Sequence, residues 1–125
     1  MTPCTWLFVA LVSAGGQAAP VPTARDLDAR NRRDTATPAG REFERKVVSA
    51  FWGDAAFVRE CAPPDAPVPE PFTIWLEIKR DGSMGALAME PETSVAKCIR
   101  KRLPPRTFEK PAADFVASIE LSFKK

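Results

Sequence analysis

Histidine and tyrosine are both absent from the 125 residues. Without histidine the chain lacks the commonest general base and the commonest metal ligand. A structural zinc site needs four ligands, usually Cys and His, and three cysteines cannot supply them. There is no G-x-S-x-G elbow and no glycine-rich phosphate loop. The carboxylates are scattered, and although Glu77 and Glu120 fall on the same face of the expected sheet, nothing in their spacing makes them converge. The residues therefore point to no catalytic constellation, no metal and no cofactor. Charge of one sign is missing too: 18 basic against 16 acidic side chains leave a net +2, which is no electrostatic footprint for a nucleic-acid partner. No apolar run reaches the roughly 20 residues that span a bilayer.

What the N-terminus does hold is a short apolar run, Trp6 to Val12, followed by small residues up to Ala19. Gly16-Gln17-Ala18 and Gln17-Ala18-Ala19 both fit small-x-small cleavage sites, so residues 1–19 read as an export signal. Cleavage removes Cys4 and leaves Cys61 and Cys98. An even count in a small exported chain reads as a disulfide. The alternatives are free buried thiols and a reactive Cys98 whose pKa is lowered by Lys97 and Lys101. Localisation is then periplasmic or secreted, with no integral membrane span after cleavage.

Residues 20–40 carry alternating charges, three prolines and few apolar side chains, the composition of a disordered or extended leader. From residue 41 the pattern changes. Phe43, Val47, Ala50, Phe51, Asp54, Val58 and Cys61 recur at helical spacing, which predicts a helix over 41–61; Gly53 in mid-pattern leaves open whether it is continuous, kinked or broken there. Five prolines within residues 62–71 end it. Phe72, Ile74, Leu76 and Ile78 then alternate with Thr73, Trp75, Glu77 and Lys79, a strand with one buried face. Asp81-Gly82 marks a hairpin turn, and Met84–Glu90 returns as a second strand. Its small side chains imply that something packs closely over it. A helix capped by Thr93 or Ser94 runs to about Leu103, with Val95, Cys98 and Ile99 inward and Lys97, Arg100, Lys101 and Arg102 at its surface. Pro104-Pro105 stop it. The last segment alternates again, with Phe115, Ala117, Ile119, Leu121 and Phe123 inward and Val116, Ser118, Glu120 and Ser122 outward.

The expected fold is α+β: a three-stranded antiparallel sheet with two helices packed on one face, in the order helix-strand-strand-helix-strand, occupying residues 41–125. The strand at 72–78 is expected at the centre and the last strand at an edge, its end blunted by Lys124-Lys125. Trp75 lies on the outer face, where it either anchors a partner or is covered by the leader or first helix.

The stretches FTIWLEIKRDGSMGALAME, SVAKCIRKRLPPRTFEKP and ADFVASIELSFKK together resemble the C-terminal domain of TonB-type energy transducers. Asp81-Gly82 fits that family's turn, Phe108 and Pro111 its F-x-x-P segment, and Phe123 its terminal aromatic. Cys61 and Cys98 make the chain more similar to a two-cysteine variant found in large gliding-motility proteins of bacteria. The Tyr-Pro motif, membrane anchor and proline-rich spacer of the transducers are missing, so energy transduction itself is not carried over. The resemblance implies a non-enzymatic protein-binding or accessory domain of the cell envelope. Its partner would be an envelope protein or extended peptide segment, added as a strand along residues 115–123. Trp75, Val116, Ser118 and Glu120 are the expected partner-binding residues. Alternative readings are a structural subunit of an envelope or motility machine, and a hydrolase or inhibitor with an unrecognised site.

Overall fold

The computed structural model describes residues 21–53 and 55–123. The proposed signal segment, Asp54 and the two terminal lysines lie outside the described residues. Seven elements follow one another: α1 (Ala24–Asp34), α2 (Pro38–Trp52), α3 (Ala56–Cys61), β1 (Phe72–Ile78), β2 (Met84–Glu90), α4 (Ser94–Arg102) and β3 (Phe115–Leu121). The three strands form one antiparallel sheet in the order β2-β1-β3. This is the expected α+β fold, with the strand of longest apolar alternation at the centre.

One face of the sheet carries the main core. Phe72 and Ile74 of β1, Met89 of β2, and Ile119 and Leu121 of β3 pack with Phe51, Phe57, Val58, Ala96 and Ile99 from α2, α3 and α4. A second cluster, Val47, Leu76, Ile78, Phe108, Phe115 and Ala117, continues the same face. Helix α2 stops at Trp52, and Gly53 lies between it and α3. Arg106 donates to the Ala50 and Phe51 carbonyls at this C-terminus, and its guanidinium stands 5.8 Å and 5.6 Å from the Phe51 and Phe57 ring centroids. It thereby satisfies carbonyls left open where the helix ends. The hairpin turn uses Gly82 at φ 88, where a side chain would be strained, and a Cβ there would lie 2.5 Å from the Phe108 carbonyl oxygen.

The reading of residues 20–40 as a disordered leader is corrected. Thr23 caps α1 through a reciprocal pair of bonds with Asp26, and Thr37 with Pro38 in the first turn starts α2 three residues before the expected boundary. Helix α1 lies across the outer face of the sheet, where fully buried Leu27 meets Ala88 and Val116, with Ala24, Trp75 and Ala86 at the margin. The sheet is thus covered on both faces rather than one. The small residues of β2 leave room for α1.

Candidate protein-binding surface

The chemistry of the outer face is built by α1 and the two strands beneath it. Trp75 projects to this face from the centre of the sheet, and its indole N–H donates to Asp28 Oδ1 at 3.1 Å. Two strand positions along, Glu77 is only 8% exposed. One of its oxygens accepts from the Arg30 guanidinium at 2.9 Å and the other from the Ala86 backbone N–H at 3.0 Å. The second contact sits at an irregularity in the ladder: Leu76 faces Leu87 and Ile78 faces Met84, so Gly85 and Ala86 together oppose Glu77. A Cβ at Gly85 would lie 2.3 Å from Glu77 Oε1, so a side chain there would displace the Glu77 carboxylate.

Burial by itself would raise the pKa of Glu77. The Ala86 N–H, the Arg30 guanidinium and the nearby Lys79 ammonium outweigh it, and the carboxyl is held below its ordinary value of 4.5. A carboxyl depressed in the fold stabilises in full above its unfolded pKa, and that contribution disappears as pH falls through the folded value. Glu77→Gln is therefore expected to lower stability by about 1–3 kcal/mol at neutral pH. It should also flatten the loss of stability below pH 4.5. Urea titrations between pH 7 and pH 3 measure both, and an unchanged acid limb would show that Glu77 does not govern it.

The edge of β3, where the resemblance places an incoming strand, is occupied at Val116 and at the Ser118 amide. Asn31 Nδ2 donates to the Val116 carbonyl at 2.8 Å, and Asp34 Oδ2 accepts the Val116 N–H at 3.0 Å. Glu44 Oε2 accepts the Ser118 N–H at 3.0 Å and also receives Asn31 Nδ2 at 2.6 Å. Three side chains thus supply, over Val116 and the Ser118 amide, what a neighbouring strand would, which is one of the ways proteins protect an edge. Val116 and Ser118, expected to bind a partner, have these groups engaged within the fold. Val116 is fully buried beneath α1, and the Ser118 amide is taken. Trp75 is half-buried and engaged by Asp28, so the leader covers it. Glu120 alone of the four is exposed. It pairs with Thr73 while Glu77 pairs with Val116, so the two carboxylates stand four residues apart along β1 and do not converge.

The other edge belongs to β2. Since Val116 and Ser118 turn their amides away from β1, the intervening residues of β3 bond inward, and their partners Leu76 and Ile74 bond toward β3. Thr73 and Trp75 then bond toward β2, opposite Glu90 and Ala88. By this alternation Leu87 and Met89 point their N–H and C=O groups to the outside. The start of this edge is protected, because Ser83 bridges Thr107 and the Phe108 N–H donates to the Gly82 carbonyl at 2.8 Å. At Leu87 and Met89 no described residue supplies a further bond. A groove of 340 Å³ runs there, walled by Val21 to Ala24 on one side and by Glu92 and Arg100 on the other. Sequence reasoning missed this edge. The alternation of β2 is masked by small residues, and which strand is left open depends on distant side chains.

Cys61 and Cys98 form the disulfide, joining the end of α3 to the middle of α4 with Cα atoms 5.7 Å apart. Such bonds persist in oxidising compartments. The basic residues around Cys98 are exposed, with Arg100 paired to Glu92 and Arg102 to Glu60. Among the described residues no group of His, Cys, Asp and Glu has the arrangement to hold a metal, and no helix is long and apolar enough to cross a membrane. Compared with known protein families, curated proteins and solved structures, the chain matches none.

Proposed function

We propose that the protein is an exported, non-enzymatic binding domain of the bacterial cell envelope. It takes up an extended segment of a partner protein as an added strand along β2. One observation carries this reading: over its buried first half the β3 edge is capped at Val116 and Ser118 by Asn31, Asp34 and Glu44, whereas Leu87 and Met89 of β2 present, in a groove, backbone groups that no described residue meets. A row of alternating donors and acceptors is complementary to another extended backbone, and main-chain bonds of this kind provide affinity while alternate side chains provide specificity. The Cys61–Cys98 bond and the export signal read from residues 1–19 support an extracytoplasmic location. The order of turn, helix and final strand that resembles TonB-type C-terminal domains supports an envelope role. A structural subunit docking through Trp75 has less support, because Asp28 and Leu27 cover that side chain.

The test uses the oxidised mature domain, with a photo-crosslinker at position 87 or position 118, in envelope extract. The partner is expected to crosslink from 87 and not from 118. Leu87→Pro removes the outward N–H and should weaken binding about tenfold or more. Leu87→Ala keeps that N–H and should retain binding. Proline is tolerated on an edge strand where the lost amide faces outward, and circular dichroism checks that the variant is folded. Unchanged capture by folded Leu87→Pro would refute strand addition at β2.

A further inference from the structure

Helix α1 is attached differently from every other element. Of its eleven residues only Leu27 and Asn31 are buried. Beside the apolar contacts of Leu27 and Ala24, the links to the sheet are polar: Asp28 to Trp75, Arg30 to Glu77, Asn31 to the Val116 carbonyl and Asp34 to the Val116 amide; Asn31 also donates to Glu44 of α2. Each can be exchanged for bonds to water, so the net gain from docking is small beside the gross number of contacts. The two large core clusters contain no residue of α1, and the disulfide joins α3 to α4 on the opposite side of the sheet. Two exposed residues, Ala36 and Thr37, connect α1 and its C-cap to α2, with the Ala36 carbonyl accepting from Arg41 and the Thr37 hydroxyl from the Gly40 N–H.

We propose that α1 is a strap that lifts from the sheet as a unit while the rest of the domain stays folded. Lifting uncovers the indole of Trp75 and both backbone groups of Val116. It also removes Val21 to Ala24, one wall of the groove at Leu87 and Met89. The strap would therefore regulate strand uptake, a consequence that rests on the function proposed above. The lifting itself does not depend on that function, because it is a property of the free protein. Local opening of weakly packed segments below the global unfolding free energy is a general property of folded domains.

Native-state hydrogen exchange on the oxidised domain, without any ligand, tests the strap. The Val116 amide and the Trp75 indole N–H are expected to exchange at least about tenfold faster than the Ile119 amide, with little dependence on denaturant. Ile119 lies in the main core and reports global unfolding. Ile99→Val weakens the main core, which stays intact when α1 lifts, so it should accelerate Ile119 by a factor of about three to ten and leave Val116 and Trp75 unchanged. If Val116 and Trp75 exchange at the rate and denaturant dependence of Ile119, or if Ile99→Val accelerates all three equally, α1 is an integral part of the fold and the strap does not exist. Loss of peptide binding with normal strap exchange would instead count against strand addition alone.

Discussion

Replacing Cys61 and Cys98 by serine is expected to lower the unfolding free energy by about 4 kcal/mol. The bond closes a sequence separation of 37 residues, and in the chain-entropy account that figure is the freedom the unfolded chain regains when the crosslink is lost. The loop it closes contains the proline-rich connector, β1 and β2, so most of the sheet folds within the constraint. Helix α3 has only six residues and no side-chain N-cap, too few to persist without tertiary support. Small domains have about 5–15 kcal/mol in total, so the loss takes away a large fraction, equivalent to a fall in melting temperature of roughly 15–30 °C. Thermal unfolding of the double variant, and of the native chain with and without dithiothreitol, measures it. A fall of only a few degrees would mean that Phe57 and Val58 hold α3 in place without the crosslink.

The second large effect is expected at Phe51. This ring is fully buried and meets Trp52 and Phe57 edge-on, with centroids 5.3 Å and 5.6 Å away. Such arrangements add to the gain from burial. Phe51 also lies in the last turn of α2, where its carbonyl receives Arg106. Phe51→Ala would empty the junction at which α2, α3 and the 104–108 segment meet. The expected cost is about 3–5 kcal/mol. Trp52→Ala, at an exposed neighbour, is the control and should cost much less. Chemical denaturation of both variants decides it, and equal losses would show that the junction is held from the surface rather than from the core.

Much of this fold could be read locally. The alternation of Phe72, Ile74, Leu76 and Ile78 specifies which face of β1 is buried, because side chains in a strand project to opposite faces in turn. Phe115 to Leu121 do the same for β3. Prolines at 63, 64, 104 and 105 end helices wherever they occur, so the order of elements was legible. So was the pairing of cysteines, since only Cys61 and Cys98 follow the segment that reads as an export signal. Helix α1 was not legible from apolar periodicity, because Leu27 is its one fully buried apolar side chain. Thr23 with Asp26, and Thr37 with Pro38, carried the local start signals for α1 and α2. Charge and proline content outweighed them in a compositional reading.

The sequence by itself determined the layer type, the central strand, the helix ends and the crosslinked pair, since each depends on periodicity, on backbone chemistry or on a count of residues. The tertiary structure alone decided which edge of the sheet is capped by side chains. That outcome depends on Asn31, Asp34 and Glu44 reaching the amides and carbonyl of Val116 and Ser118, residues separated from them by 74 to 85 positions. No local pattern encodes such a contact, because a polar side chain has the same appearance in the sequence whether it faces water or closes a distant strand.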